Sequence, residues 1–149
     1  MAFLLDVNVL VALFWPPHEY HDLGRSWFRK YGRQGWATCP LTQAGFVRIV
    51  SNPAFSRDAF TVGEAIDLLQ GNLEAPEHEF WTDDIPFAKA VLPFASRLFG
   101  HRQVTDAYLL GLALRHKAKL VTLDTSVIHL LPEKSPELNS IVQLADSRP

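Results

Sequence analysis

Three aspartates stand where predicted strands and helices begin or end, and they are the residues best suited to chemistry. Asp6 follows the apolar run 2–5, Asp106 lies in the first turn of a long apolar segment, and Asp124 follows the apolar run 120–123. Two unit charges at 4 Å repel by about 4 kcal/mol at an effective dielectric constant near 20. If these carboxylates meet, either one acid must hold a proton or a divalent cation must bind. Hard oxygen ligands suit Mg²⁺ or Mn²⁺, so the pattern favours a metal site.

Each aspartate taken alone also has an ordinary structural explanation. Asp106 suits the first turn of a helix capped by Thr105, where the helix dipole favours an acid. Asp124 suits a turn after a strand, and Asp6, two residues before Asn8, suits an Asx turn. For any single residue these explanations are the more common ones. The three acids together favour a site, since all are predicted at one edge of the molecule.

That prediction comes from alternating strands and helices, which indicate an α/β fold with a mainly parallel sheet. Every position from Ala107 to Leu114 is apolar or glycine, which is typical of a buried helix. In such a sheet, ligands bind at the carboxyl ends of the strands. The predicted strands are 2–5, 36–39, 77–81, 120–123 and 141–144, and the predicted helices are 9–15, 18–31, 43–50 after Thr42, 62–69 closed by Gly71, 86–94, and 106–117 after Thr105.

Composition limits the class of protein. The 149 residues are 48% hydrophobic and 20% charged, which predicts one globular domain, 1–149. A net charge of −2 means that contact with nucleic acid needs a local basic patch. Cys39 is the only cysteine, which excludes a disulfide framework and a cysteine-based zinc site and fits a reducing cytoplasm. The apolar N-terminus lacks a basic leader and is too short to span a bilayer, so we expect a cytoplasmic protein without a membrane segment.

Four motifs resemble PIN-domain ribonucleases, specifically the VapC type of bacterial toxin. They are LLDVNVLVALF (4–14), TCPLTQAGFVRI (38–49), VTDAYLLGLA (104–113) and LVTLD (120–124), in the order of that family. The resemblance implies a three-layer α/β/α sandwich and a Mg²⁺- or Mn²⁺-dependent endoribonuclease. It also implies neutralisation by a cognate antitoxin protein, a homodimer, and an RNA substrate such as a transfer RNA or a ribosomal RNA.

The same resemblance implies roles for individual residues. Asp6 and Asp106 match the two principal metal ligands, and Asp124 matches an acid that acts directly or through water. Asn8 and Thr105 match polar residues of the same pocket.

Position 43 departs from the family pattern, which commonly has glutamate there. Gln43 keeps the shape and a carbonyl oxygen, so we expect it to orient a water molecule or the substrate. It has no negative charge and cannot act as a general base. This weakens the case for a second metal ion. Because of Gln43, a second function is also compatible with the sequence: a PIN domain that binds RNA or a protein without cutting RNA. A phospho-acceptor Asp6 is a third alternative, for which no suitably placed lysine is evident.

A further pattern lies in the second predicted helix, where cations interleave with aromatic residues. Such a pattern suits single-stranded RNA through charge and stacking, although an amphipathic helix with buried aromatic rings is the more common interpretation. The residues are Arg25, Trp27, Arg29, Lys30, Tyr31 and Arg33.

Overall fold

A five-stranded parallel sheet forms the centre of the computed structural model, which describes residues 2–145. The strand order is β3-β2-β1-β4-β5, and every neighbouring pair is parallel. The α/β prediction is therefore confirmed, and all five predicted strands are present. The strands are β1 (Phe3–Leu5), β2 (Trp36–Thr38), β3 (His78–Phe80), β4 (Lys119–Thr122) and β5 (Ile141–Gln143).

Helices cover both faces of this sheet and produce three layers. Four of them, α1 to α4, pack on one face, and α5 and α6 pack on the other. Short 3₁₀ turns link several of these elements. The helices are α1 (Val7–Phe14), α2 (His21–Tyr31), α3 (Pro40–Val50), α4 (Val62–Leu73), α5 (Phe87–Val91) and α6 (Val104–Arg115).

The alternation of side chains along the central strand explains the two cores. In β1, Phe3 and Leu5 join the core beneath α1 to α4, whereas Leu4 joins the core beneath α6. Successive residues of a strand point to opposite faces, so a strand buried on both faces must be apolar throughout. All three residues of β1 are buried, as expected for the middle of such a sheet.

Three helices begin earlier than the sequence indicated. Helix α1 starts at Val7 with Asp6 as its N-cap, and α3 starts at Pro40 after Cys39, so Thr42 lies inside α3 and does not cap it. Proline at a first helical position costs no hydrogen bond, which is why Pro40 opens α3. Helix α6 starts at Val104, so Thr105 lies in its first turn and the predicted N-cap at Thr105 is wrong.

Helix α4 is longer than predicted and contains Gly71, which the sequence suggested as its end. It continues to Leu73, whose side chain packs against the core beneath α1 to α4. That tertiary contact outweighs the low helix propensity of glycine. At Gly111, by contrast, glycine is required, because an added Cβ would lie 2.3 Å from the carbonyl oxygen of Ala90. This contact brings α5 and α6 close together.

Candidate active site

Asp6 connects the central strand to α1 and is the most buried of the three aspartates. It is 4% exposed, and its Oδ1 accepts a hydrogen bond of 2.7 Å from the backbone N–H of Val7. Its Oδ2 accepts a second bond of 2.7 Å from the Thr122 hydroxyl. Burial raises the pKa of Asp6, the two hydrogen bonds oppose that rise, and the charge of Asp124 adds to it. The net result is a carboxyl group with a pKa above its usual value.

Thr122, at the end of β4, holds the candidate site together. Besides donating to Asp6, its hydroxyl accepts from the backbone N–H of Asp124 at 3.0 Å and lies 3.5 Å from the Asn8 amide nitrogen. The amide oxygen of Asn8 in turn accepts from the backbone N–H of Leu123 at 3.1 Å. Asn8 therefore links α1 to the loop after β4 and fixes the position of Asp124.

Asp106 approaches from the opposite face of the sheet, because it lies in the first turn of α6. Burial, followed by the negative charges of Asp6 and Asp124, raises the pKa of Asp106 to about 7. A hydrogen bond between the side chains of Asp106 and Asp124 contributes in the same direction. Near neutral pH, Asp106 is thus partly protonated and donates that proton to Asp124.

Asp124 stays ionised because its loop supplies hydrogen-bond donors. Partial burial opposes ionisation, but hydrogen bonds from Ser126 and Asp106 outweigh it and hold the pKa of Asp124 below its usual value. Its Oδ1 accepts from the backbone N–H and the hydroxyl of Ser126, at 2.8 Å and 2.7 Å. The pair therefore divides its charge unequally, with the proton on Asp106.

The structure brings the three aspartates together: the Thr122 hydroxyl bonds both the Asp6 carboxylate and the Asp124 backbone, and the side chains of Asp106 and Asp124 share a hydrogen bond. Within residues 2–145, no group of three or more histidine, cysteine, aspartate or glutamate side chains is arranged so that it could hold a metal ion. Mg²⁺ needs no such group, since it binds one or two protein carboxylates and completes its octahedron with water. Burial raises the pKa values of Asp6 and Asp106, and the neighbouring negative charges raise them further. A hard divalent cation fits such a cluster, because its charge offsets the repulsion.

A cavity of about 280 Å³ is lined by Asp6 and by residues of α1, α3 and α6. Thr105 lines it at the start of α6, as expected for a polar residue of the pocket. Arg48 of α3 also lines it, and this exposed guanidinium group is well placed for a phosphate beside the acids. Gly45 in its wall permits α3 to approach α1, because a Cβ there would lie 2.6 Å from a Val7 methyl group.

Gln43 faces the end of β2. Its amide nitrogen donates to the Thr38 hydroxyl at 3.0 Å, and that hydroxyl also lies 2.8 Å from the His78 ring nitrogen. In the described part of the chain, Gln43 makes no hydrogen bond to any of the three aspartates. Whether it orients substrate or water stays a prediction.

Sequence reasoning missed Thr122, Ser126 and Arg48. Ser126 had a readable signal, since an Asx turn places a hydrogen-bond donor two residues after an aspartate. Thr122 carried none, because a threonine in a strand is equally explained by its strand propensity. Arg48 carried none either, because its position at the cavity depends on how α3 packs against α1.

Comparison with known proteins agrees with this geometry. The family profile described as the PIN domain matches residues 3–131. Two proteins of Mycobacterium tuberculosis are similar over most of the chain. Ribonuclease VapC39 is 41% identical over 127 residues, covering 85% of this chain and 91% of that protein, and Ribonuclease VapC38 is 43% identical over 131 residues, covering 88% and 91%.

Two solved structures share the fold. One is FitAcB from Neisseria gonorrhoeae, with a TM-score of 0.60, 18% identity, and coverage of 95% of this chain and 96% of that one. The other is VapBC2 from Rickettsia felis bound to a DNA fragment from its promoter, with a TM-score of 0.59, 14% identity, and coverage of 96% and 97%. Together with the profile match and the VapC relatives, they establish that this chain belongs to the PIN-domain family.

Proposed function

We propose that this chain is a metal-dependent endoribonuclease and the toxin of a toxin–antitoxin pair, built as one PIN domain and acting in the cytoplasm. The observation that carries the proposal is the coupling of three carboxyl groups from separate segments of the chain at one edge of the sheet. The VapC relatives, which are named ribonucleases, support it. The substrate is RNA, and a transfer RNA or a ribosomal RNA would both fit.

Asp6 and Asp106 are the residues we assign to hold Mg²⁺ or Mn²⁺, with Asp124 completing the acidic pocket. The ion would supply Lewis-acid polarisation of the phosphodiester and a more acidic bound water. Asp124, kept ionised by Ser126, is suited to orient the attacking water and to accept its proton. Arg48 and Thr105 are placed to contact the phosphate from the cavity beside Asp6. Asn8 keeps the Asp124 loop in position through Leu123.

The test is RNA cleavage with and without EDTA in the wild type, Asp6→Asn and Asp106→Asn. Asp67→Asn is the matched control, since Asp67 is an exposed acid in α4. The proposal expects loss of cleavage with EDTA and in both site variants, full cleavage in the control, and products with 5′-phosphate and 3′-hydroxyl ends. Undiminished cleavage in both site variants would contradict it.

One observation favours a second candidate, a PIN domain that binds RNA or a protein without cutting. The Gln43 amide donates to Thr38 and brings no negative charge to the site. The discriminating variant is Gln43→Glu, assayed with Mn²⁺. If the wild type is inert while Gln43→Glu cleaves, the second candidate is correct. If the wild type cleaves, the first is.

A cognate antitoxin is part of the proposal, and a groove close to the acids suits it. This cavity of about 450 Å³ has a mainly apolar lining that includes Val11, Ile49 and Phe55, and it also contains Asn8 of the candidate site. An amphipathic helix of the partner would place its apolar face there. Growth arrest on expression, relieved either by Asp6→Ala or by co-expression of a small protein from the adjacent reading frame, tests the pairing.

Homodimerisation is also proposed, since large apolar side chains are exposed near α5 and α6. Phe99 is 87% exposed and Leu92 is 70% exposed. Light scattering on the purified chain measures the oligomeric state directly. None of the helices within residues 2–145 is long and apolar enough to cross a membrane.

A further inference from the structure

A third cavity, of about 640 Å³, runs along the β5 edge of the sheet, from Phe3 and Lys119, where β1 and β4 begin, to Gln143, where β5 ends. Three aromatic side chains from β1 and α2 line one part of it: Phe3, Trp27 and Tyr31. Their rings form a cluster, with the centroids of Phe3 and Trp27 5.0 Å apart and those of Trp27 and Tyr31 5.7 Å apart. The second predicted helix therefore turns its aromatic residues toward the interior: Phe3 and Trp27 border the cavity with little exposed surface, and Tyr31 is half-buried.

The charged residues that line this cavity within residues 2–145 are two lysines. Lys30 of α2 and Lys119 at the start of β4 line it, and within residues 2–145 no aspartate or glutamate does. The Lys30 ammonium group lies 5.2 Å from the centre of the Tyr31 ring. The amide side chains of Gln34 and Gln143 add hydrogen-bonding groups. A cavity of this size with an aromatic wall, two cations and a few amides suits a planar base that carries a phosphate.

We propose that this cavity binds an unstacked nucleotide of the RNA, with its base against Trp27 and Tyr31 and its phosphate beside Lys30 and Lys119. The proposal rests on the proposed function for the identity of the RNA as substrate. We refer to this cavity as the nucleotide pocket. None of the three aspartates lines it, and Lys119, beside which we place the phosphate, lies at the opposite end of β4 from Thr122.

The surface of α2 outside the nucleotide pocket agrees with an RNA strand passing there. Arg25, Arg29 and Arg33 recur at four-residue spacing, and all three are exposed. They extend over about 12 Å of helix axis, enough for several phosphates. Two carboxylates, Asp22 and Glu77, lie along the same side. We therefore place the phosphate contacts at Lys30 and Lys119, where the described part of the chain contributes no acid.

The first test titrates adenosine monophosphate into Asp106→Asn, in which the acid cluster is disabled and the RNA is not cut. Tryptophan fluorescence is the readout, because stacking on Trp27 quenches it, and Trp27→Phe shows which tryptophan responds. We expect saturable quenching that Lys30→Gln with Lys119→Gln weakens at least fivefold. Lys89→Gln with Lys134→Gln is the control, since both of these lysines are exposed and neither lines the nucleotide pocket. Absence of saturable quenching, or equal quenching in both double variants, would overturn the proposal.

Two fragments show whether the base and the phosphate are both recognised. Adenosine and ribose 5-phosphate should each bind more weakly than the nucleotide, and Tyr31→Leu should affect adenosine but not ribose 5-phosphate. If ribose 5-phosphate binds as well as the nucleotide, the nucleotide pocket holds only an anion and the proposal fails. Melting temperatures of all variants separate lost binding from lost folding.

The second test asks whether the occupant belongs to RNA, using Asp106→Asn and a single-stranded 12-nucleotide RNA. Removing both lysines should weaken binding roughly tenfold and reduce the slope of log affinity against log salt by about 1.4, the value for two phosphate contacts on a single strand. Competition by adenosine monophosphate should match its affinity from the first test. An unchanged RNA affinity, or binding of an acidic peptide in preference to RNA, would overturn the proposal.

Cleavage then separates this inference from the proposed function. In the otherwise wild-type chain, Lys30→Gln with Lys119→Gln should raise KM on a long RNA and leave kcat unchanged, because neither lysine contacts the acid cluster. If the wild type binds RNA through the lysines but does not cleave it, the proposed function fails and the nucleotide pocket stands. If it cleaves RNA with no dependence on the lysines, the reverse holds.

Discussion

At the scale of single residues, Asp106 is the member of the acid cluster whose ionisation most reduces the stability of the fold. Burial and the neighbouring charges raise the pKa of Asp106 from 3.8 to about 7, so the folded chain keeps a proton that the unfolded chain has lost. The free energy of unfolding therefore decreases as the pH rises from about 4 to 7 and is reduced by the full amount above that range. Holding the three acids together therefore lowers the free energy of unfolding of the metal-free chain near neutral pH.

Asp106→Asn should remove that destabilisation. In EDTA, we expect the variant to be more stable than the wild type by about 1–2 kcal/mol at pH 8 and nearly equal to it at pH 4, the gain being limited because Asp106 is only half-buried. Asparagine keeps a hydrogen-bond donor for Asp124 but carries no charge. Urea unfolding at both pH values measures this, and a stability difference that is equal at pH 4 and pH 8 would contradict the electrostatic explanation.

Thr122 is the second residue whose role is testable by itself. Thr122→Val keeps the shape but removes the hydroxyl group that Asp6, Asn8 and Asp124 share. We expect metal affinity and cleavage to fall by roughly 10- to 100-fold, as is usual when a group that orients a ligand is lost. Thr122→Ser should retain most of both, since it restores the hydroxyl. Full cleavage by Thr122→Val would show that Asp6 needs no such support.

The positions of the three aspartates followed from sequence for a physical reason. A parallel sheet brings the carboxyl ends of its strands to one edge, so Asp6 and Asp124, which follow β1 and β4, had to meet there. Their roles as metal ligands stay predictions. Arg48 escaped the same reasoning, because nothing in the sequence states how α3 packs against α1.

At the scale of elements, two glycines differ in how closely their surroundings pack: Gly111 lies in a tight helix contact, and Gly71 has open space around it. Gly111→Ala would place a Cβ 2.3 Å from the carbonyl oxygen of Ala90, and the contacting atom is backbone that cannot rotate away. We expect α5 and α6 to separate and the free energy of unfolding to fall by about 1–3 kcal/mol. Urea unfolding midpoints at constant m-value measure the loss.

Gly71→Ala is the matched control, since a Cβ at Gly71 meets nothing within 4 Å. Inside α4, alanine should stabilise the chain by roughly 0.5–1 kcal/mol, because glycine costs more backbone entropy. If both variants were destabilised, the close approach of α5 and α6 would not be the cause at Gly111.

Errors at the ends of helices have a common origin. The sequence placed the starts of α3 and α6 at a threonine, since threonine is a good N-cap. In the structure, α3 begins at Pro40 directly after β2, and the 3₁₀ turn His101–Gln103 leads into α6. Local propensity predicts that a helix exists, but the neighbouring strand or turn decides where it begins.

At the scale of the whole molecule, the net charge of −2 hides a separation of charge between the two ends of the strands. The three aspartates meet where β1 and β4 end, whereas Lys119 of the nucleotide pocket lies where β4 begins, and Lys30 lines the same pocket. Composition alone does not predict that these two lysines line one cavity, because that depends on how the helices pack on the sheet.

At the acidic edge, protons and a divalent cation compete for the carboxyl group of Asp106. A cation that binds the folded state alone raises its stability by about 2.7 kcal/mol at a concentration 100 times its Kd. Because Asp106 must lose its proton first, Mg²⁺ should bind more weakly at pH 5.5 than at pH 8 and release protons when it binds near pH 7.

Calorimetry in two buffers of different ionisation enthalpy measures that release, and thermal unfolding with increasing Mg²⁺ measures the stabilisation. Asp6→Asn and Asp106→Asn should lose both effects, while Asp67→Asn should keep them. The cation offsets the repulsion among the three acids. Stabilisation by Mg²⁺ should therefore be largest at the pH where the free energy of unfolding of the metal-free chain is lowest. Equal stabilisation by Mg²⁺ at pH 5.5 and pH 8 would mean that the ion binds elsewhere and leaves the acid cluster unneutralised.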